Sequence, residues 1–369
     1  MSIIIFIVIL VVLIIAHEFG HFVVAKAVGM RVDEFGLGFP PRVAAWKPKK
    51  SETTYSLNWI FFGGFVKIFG EDTREAEGAK DAERSFGKKP KLAQAVVMVA
   101  GVAFNIIFAW VLISIGFMTG LPTPVGMAPT GAVVENARLV LTSVGEGSPA
   151  ADAGLMAGDA VVAFVTDEAA LQDEITPELI SSFVSEHGGE QIAVLYKRGG
   201  ENNTAFVTPE DGILEDRPAI GITMDMIGTL KLSFFQAWWE GAKTTVYLTG
   251  ATAQGFWHLI VGAFTGVGGG LSDVTGPVGI VGLVGTAAEF GFVYLLGFTA
   301  FISINLAIIN LIPFPALDGG RLFFLLIETV KRSPIKPVVA NAANTIGFVL
   351  LLILMAVVTY NDIVKIVTG

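Results

Sequence analysis

The sequence predicts a polytopic α-helical membrane protein with about four transmembrane helices, a membrane-associated β-hairpin region and an inserted α+β domain. Three observations predict it. The 369 residues are 53% hydrophobic and only 15% charged, far from the balance of a soluble protein. Apolar runs long enough to cross a bilayer recur near both ends of the chain and around residue 105. Thirteen Lys and Arg fall between Lys26 and Lys91, against six between Phe117 and Lys243, an asymmetry that orients such a protein. The net charge of −9 argues against a nucleic-acid partner. With no Cys, disulfides and thiolate metal sites are excluded, and four His exclude a His-rich cage.

The N-terminal membrane part, 1–118, opens with an apolar run over 2–28. No Lys or Arg precedes Lys26 and no small-residue cleavage site precedes His17, so a retained span is a better reading than a signal peptide. Residues 31–91 are polar, with strand-like runs at Thr54–Leu57 and Phe65–Phe69 around Gly63-Gly64. Their basic residues, with Lys331, Arg332 and Lys336, place 31–91 and 331–337 in the cytoplasm. The second span is 92–118. It contains Asn105, ordinarily a hydrogen-bonding link between membrane helices, with lining of an active site as the second reading. A Pro/Gly/Ala-rich linker over 120–135 leads to an extracytoplasmic module at 138–227. Strand-like runs (Leu139–Val144, Ala160–Val165, Gln191–Lys197, Thr204–Val207, Ala219–Thr223) surround a helix opened by Thr176 and Pro177. Residues 232–289 read as an aromatic, amphipathic interfacial helix whose second half dips towards the bilayer, followed by a Gly-rich, re-entrant loop over Gly262–Gly285. The C-terminal membrane part, 290–369, holds spans at 290–330 and 346–367. The first is broken by Pro313, Pro315, Gly319 and Gly320.

Chemistry concentrates at Ala16-His17-Glu18-Phe19-Gly20-His21. Two histidines four residues apart lie on one helical face, one turn apart, where they can bind Zn²⁺. Residues 3–16 are wholly apolar, and ionisable groups embedded beside them point to function. A catalytic zinc takes three protein ligands. Asp318 is the one carboxylate in the core of another apolar segment, and topology gives it the depth of His17 and His21, near the cytoplasmic face. Glu18 is placed to act as general base, and Asn310 to stabilise an oxyanion, although for Asn310 a purely interhelical role is equally open. The plain alternatives are packed helix histidines at 17 and 21, and a local pair between Asp318 and Arg321. His187 reads as a helix-end residue and His258 as interfacial.

At these residues the chain resembles the site-2 protease family of intramembrane zinc metalloproteases, in its bacterial regulator-of-sigma-E branch. The motifs are His17-Glu18-Phe19-Gly20-His21 and Asn310-Leu311-Ile312-Pro313-Phe314-Pro315-Ala316-Leu317-Asp318-Gly319-Gly320. Phe35–Phe39, Gly63–Lys67, Gly101–Asn105 and Gly276–Ile280 support them, and Gly147–Leu155 with Gly158-Asp159 looks like a PDZ opening. The resemblance implies zinc on His17, His21 and Asp318, Glu18 as general base, and Asn310 in the active site with Asn305 nearby. It also implies a β-hairpin loop at 54–70 that presents an edge to an unwound substrate. The implied protein is a multi-pass metalloendopeptidase of the bacterial inner membrane. It would cleave transmembrane protein substrates already shortened by another protease, such as anti-sigma factors or remnant signal peptides. Phe61-Phe62 and Phe65 depart from the Pro-Leu and Tyr common around the Gly-Gly pair. There is room for one PDZ-like domain where known relatives carry two, and its peptide contact rests on no identified carboxylate loop. A membrane metal-ion transporter would need a polar path and inverted repeats, neither of which is seen. A non-catalytic PDZ scaffold would not need the intact ligands and base.

Overall fold

The computed structural model describes residues 1–71, 81–145, 147–172, 175–214, 217–265 and 275–368. The chain opens with helix α1, Ser2–Ala27, and continues into strands β1, Val32–Trp46, and β2, Thr54–Ile68. Short 3₁₀ turns at Ala82–Arg84 and Phe86–Lys88 lead to α2, Lys91–Thr119. There follow β3 Leu121–Pro124, β4 Val134–Val144, α3 Pro149–Asp152, β5 Ala160–Val165, β6 Ala170–Leu171, α4 Pro177–Glu186, β7 Ile192–Arg198, β8 Glu201–Val207 and β9 Ile222–Leu230. The chain ends in α5 Phe234–Thr265, α6 Pro277–Glu289, α7 Phe292–Leu311, α8 Asp318–Lys331 and α9 Pro337–Thr368. Four helices, α1, α2, α7 and α9, are long and apolar enough to cross a membrane, and this is a multi-pass membrane protein. The chain divides into two compact units, Met1–Ser114 with Trp238–Gly369, and Ile115–Ala237.

In the first unit, α1 is apolar on all sides, as a helix covered by lipid and neighbouring helices must be. It approaches α2 closely through small residues. A Cβ on Gly20 would stand 2.5 Å from the Ala100 carbonyl oxygen, so glycine there permits the backbone contact. On another face, Leu13 and Ile9 pack with Val284 of α6. The strands are longer than the sequence runs suggest. Residues 34–37 pair with 64–67 on one side and with 54–57 on the other, and 55–57 also meet 44–46. The segment 64–67 therefore stands at the edge of this small sheet, paired on one side among the described residues. Glu52, in the turn between the strands, ties the sheet to the end of α1. Its carboxylate accepts from Lys26 Nζ at 3.1 Å and from both terminal nitrogens of Arg84 at 2.7 and 2.8 Å. Hydrogen bonding from Arg84, then from Lys26, lowers the Glu52 carboxyl to about 2.

Three expectations change here. The Gly-rich loop over Gly262–Gly285 gives way to helix at both ends. The aromatic stretch is a continuous α5 reaching Thr265, and α6 begins at Pro277, whose fixed φ suits the first helical position. Residues 266–274 of that expected loop lie outside the described residues. The mean apolarity of 277–289 suffices for a helix packed against α1, which composition alone does not distinguish from a loop. The expected span over 290–330 is two helices, α7 and α8, separated at 312–317. Pro313 and Pro315 remove two backbone donors there, and Ala316 adopts φ 76°. The last span begins at Pro337, nine residues before the expected start.

The second unit is a six-strand path, β3-β9-β4-β5-β7-β8, with β6 pairing with β5. Its core joins Phe164, Ile192, Val194 and Leu141 from the sheet to Ile180 of α4. The α4 start is as expected: Thr176 Oγ1 accepts from the Leu179 backbone N–H at 3.3 Å, with Pro177 next. The strand expected at 219–223 runs from Ile222 to Leu230 instead, and the linker contains β3, which covers the 227–230 half of β9. His187 Nδ1 donates to the Phe183 carbonyl at the end of α4.

Candidate active site

All of the site lies within the first unit. His17 and His21 occupy successive turns of α1, and Asp318 is the first residue of α8, 297 positions beyond His21. A carboxylate in the first turn of a helix meets unsatisfied N–H groups and the positive end of its dipole. The break at 312–317 delivers it. A Cβ on Gly320 or Gly319 would collide with the carbonyls of Phe314, Leu311 and Ile312, so only glycines allow α8 to fold back so tightly on the break.

The three side chains converge. His17 Nε2 is 3.0 Å from Asp318 Oδ2, His21 Nε2 is 3.2 Å from the same oxygen, and the two Nε2 atoms are 3.3 Å apart. A tetrahedral zinc with ligand bonds of about 2.0–2.1 Å spaces its ligand atoms about 3.3 Å apart, so these atoms stand at three corners of such a site. Among the described residues this is the one group of three or more His, Asp or Glu whose ligand atoms come so near one another, all within 4.8 Å. The side chains are 10%, 12% and 21% exposed, shielded but reachable. His21 Nδ1 lies 2.8 Å from the Val97 carbonyl oxygen of α2. An oxygen there can only accept, so Nδ1 carries the proton and the Nε2 lone pair is free for a metal. Space for the ion is secured by Gly101 on α2. A Cβ there would lie 2.8 Å from His17 Nε2 and nearer still to His21 Nε2. The residues therefore fit a zinc ion.

A cavity of about 490 Å³ opens on this cluster. Glu18 lines it beside His17 and His21, and the 64–68 strand edge forms one wall. Gly64 permits that wall: a Cβ would stand 2.9 Å from Glu18 Cγ and 2.7 Å from Ile14 Cγ2. Arg321, one turn beyond Asp318, pairs with Glu71 at the end of the sheet.

Of the expected site residues, His17, Glu18, His21 and Asp318 come together and Asn310 does not. It sits in the last turn of α7, does not line the cavity, and makes no hydrogen bond to the other four. Asn305, in the interior of α7, donates its Nδ2 back to the Phe301 carbonyl one turn earlier. The asparagine that reaches the site is Asn105, fully buried, with Nδ2 3.2 Å from His17 Nδ1.

Comparison with known proteins identifies the family. Residues 5–354 match the model of Peptidase family M50. A protein of Clostridium perfringens is 34% identical over 355 residues, covering 95% of both chains. The zinc metalloprotease RasP of Geobacillus kaustophilus is 30% identical, covering 99% of this chain and 98% of its own. The regulator of sigma-W protease RasP of Bacillus subtilis is 29% identical, with 98% of each covered. Among solved structures, the PDZ domain of an SdrC-like protein from Listeria monocytogenes is 26% identical, covers 25% of this chain and 92% of its own, and superposes with a TM-score of 0.21. The chain belongs to Peptidase family M50, the site-2 proteases, and is an intramembrane zinc metalloprotease.

Proposed function

We propose that His17, His21 and Asp318 hold the zinc ion and that Glu18 is the general base for peptide-bond hydrolysis within transmembrane segments. The observation that carries this is the 3.0–3.3 Å triangle of two imidazole nitrogens and a carboxylate oxygen. Zinc, when bound, polarises a peptide carbonyl and makes water more acidic. Glu18 takes the proton of the attacking water and passes it to the leaving amine. The strand edge at 64–67 orients the substrate: an unwound segment adds to it as a further strand and lies along the cavity wall. Asn310 is given no oxyanion role, because it does not line the cavity.

The substrates are single-span membrane proteins already trimmed by another protease, such as anti-sigma factors or remnant signal peptides. In the bacterial inner membrane the site lies near the cytoplasmic face and the Ile115–Ala237 unit, PDZ-like, outside. That unit has a feature suited to a trimmed C-terminus. A cavity of about 260 Å³ lies between Ile180, Ser181 and Val184 of α4 and Ile222–Met224 of β9, with Arg217 at its wall. Among the described residues, 222–226 pair with β4 alone, since β3 covers 227–230, leaving an edge for peptide addition. A transporter or a scaffold is not favoured by membership of a peptidase family. Purified protein in detergent should cleave a model transmembrane substrate. A chelator and Glu18→Gln should each abolish cleavage, the variant while still binding zinc. Chelator-resistant cleavage, or full activity in Glu18→Gln, would refute the proposal.

A further inference from the structure

We propose that Asn105 is the positioning residue that presents His17 to zinc, its side-chain oxygen accepting the His17 Nδ1–H in the loaded protein. The inference rests on His17 being a zinc ligand. To ligate through Nε2, a neutral imidazole must carry its proton on Nδ1, and that N–H needs an acceptor. For His21 the acceptor is the Val97 carbonyl. For His17 the group that lies against Nδ1 among the described residues is the Asn105 carboxamide, 3.2 Å away on a residue with no exposure.

The carboxamide's own bonding supports the assignment. Its Nδ2 end faces His17 Nδ1, while its Oδ1 is buried with no hydrogen-bond partner. A buried, unpaired carbonyl oxygen costs about 1–3 kcal/mol. A half-turn about the terminal side-chain bond exchanges the two ends. It brings Oδ1 to the Nδ1–H, puts Nδ2 in the place Oδ1 held and leaves Nε2 open towards Asp318 and His21. The mount is rigid. Ser303 Oγ of α7 donates to the Asn105 backbone carbonyl at 2.8 Å, so α1, α2 and α7 meet at this residue. An asparagine supplies the acceptor without adding a buried charge to a site that already holds Asp318 and Glu18.

The test uses full-length protein in detergent and compares Asn105→Leu with Asn105→Asp. Leucine has similar volume and cannot accept; aspartate can only accept. Zinc is titrated against a competing chelator, and the Co²⁺-substituted forms are followed by their absorption spectra. Asn105→Leu should bind zinc roughly 10–100-fold more weakly with an altered Co²⁺ spectrum, and Asn105→Asp should restore both to near wild type. Equal zinc affinity in Asn105→Leu and wild type overturns the proposal, as does an Asp variant as weak as the Leu variant. If both variants misfold, ¹H–¹⁵N histidine NMR of the zinc-loaded wild type decides: a His17 Nδ1–H that is hydrogen-bond-shifted and slow to exchange supports the role, and one that is unshifted and exchanges fast overturns it. Absence of zinc from the wild type would instead defeat the metal site itself.

Discussion

Gly101→Ala separates metal binding from folding, because the two should move in opposite directions. The new methyl carbon would stand 2.8 Å from His17 Nε2 and 2.7 Å from its Cε1, and nearer still to His21 Nε2. Relaxed contact needs about 3.5 Å, so the His17 ring must retreat by about 0.8 Å and His21 by more. Metal–ligand distances tolerate about 0.2 Å. Withdrawal of α1 as a whole would open the tight Gly20–Ala100 contact and expose the seam between the helices. The predicted outcome is zinc affinity lower by two orders of magnitude or more, with proteolysis lost in parallel. The helix itself should gain, since Ala in a helix interior is about 0.5–1 kcal/mol better than Gly. The assay is zinc content after equilibration with a competing chelator, beside thermal unfolding followed by circular dichroism. A Gly101→Ala protein that keeps stoichiometric zinc and activity within about twofold of wild type would refute the reasoning.

Asp318→Ala should leave two ligands and abolish zinc retention in the same chelator assay; zinc retained at wild-type affinity would remove Asp318 from the site. Gly64→Val should push on Ile14 and Glu18 and lower kcat more than zinc content, measured by cleavage and metal analysis side by side. The Glu52 carboxyl sits at about 2 in the fold, below its unfolded value, so its stabilising contribution is present above about pH 4.5 and is lost as pH falls towards 2. Glu52→Gln should therefore melt lower than wild type at pH 7, by at most about 1 kcal/mol for so accessible a cluster, with the gap closing in acid; a pH-independent gap would contradict this. Leu214→Lys, at an exposed position beside the α4–β9 groove, should weaken binding of C-terminal peptides while leaving the unit folded, as measured by peptide titration and circular dichroism.

His17 and His21 were legible as a pair because helical periodicity is local: four residues bring two side chains to one face whatever surrounds the helix. Asp318 stood out at long range as a carboxylate in the core of an apolar segment, and the fold brings its Oδ2 within 3.2 Å of both imidazoles. The break in the 290–330 stretch was legible in Pro313 and Pro315, although the extent of α8 beyond it was not. Asn310 and Asn105 mark the limit. Both are asparagines in apolar helices, and nothing in either segment says which way its residue faces. Each residue turns about 100° around the helix axis, so a small difference in how α2 and α7 are rotated decides which amide meets His17. The same holds for Gly101 and the Val97 carbonyl, whose roles depend on α2 lying against α1. The 277–289 helix was missed because its glycines serve close packing and caps as readily as loops.

The sequence by itself determined the residue types available for chemistry and the apolar helices long enough to cross a membrane, because composition and period act locally. Tertiary structure decided what completes the site: the angular position of each helix, the strand edge beside Glu18, and the partner of each spare imidazole nitrogen. Those depend on side-chain contacts between elements scores of residues apart, and in a bilayer such contacts are selected by close packing of small residues more than by hydrophobicity, which is nearly uniform along every span.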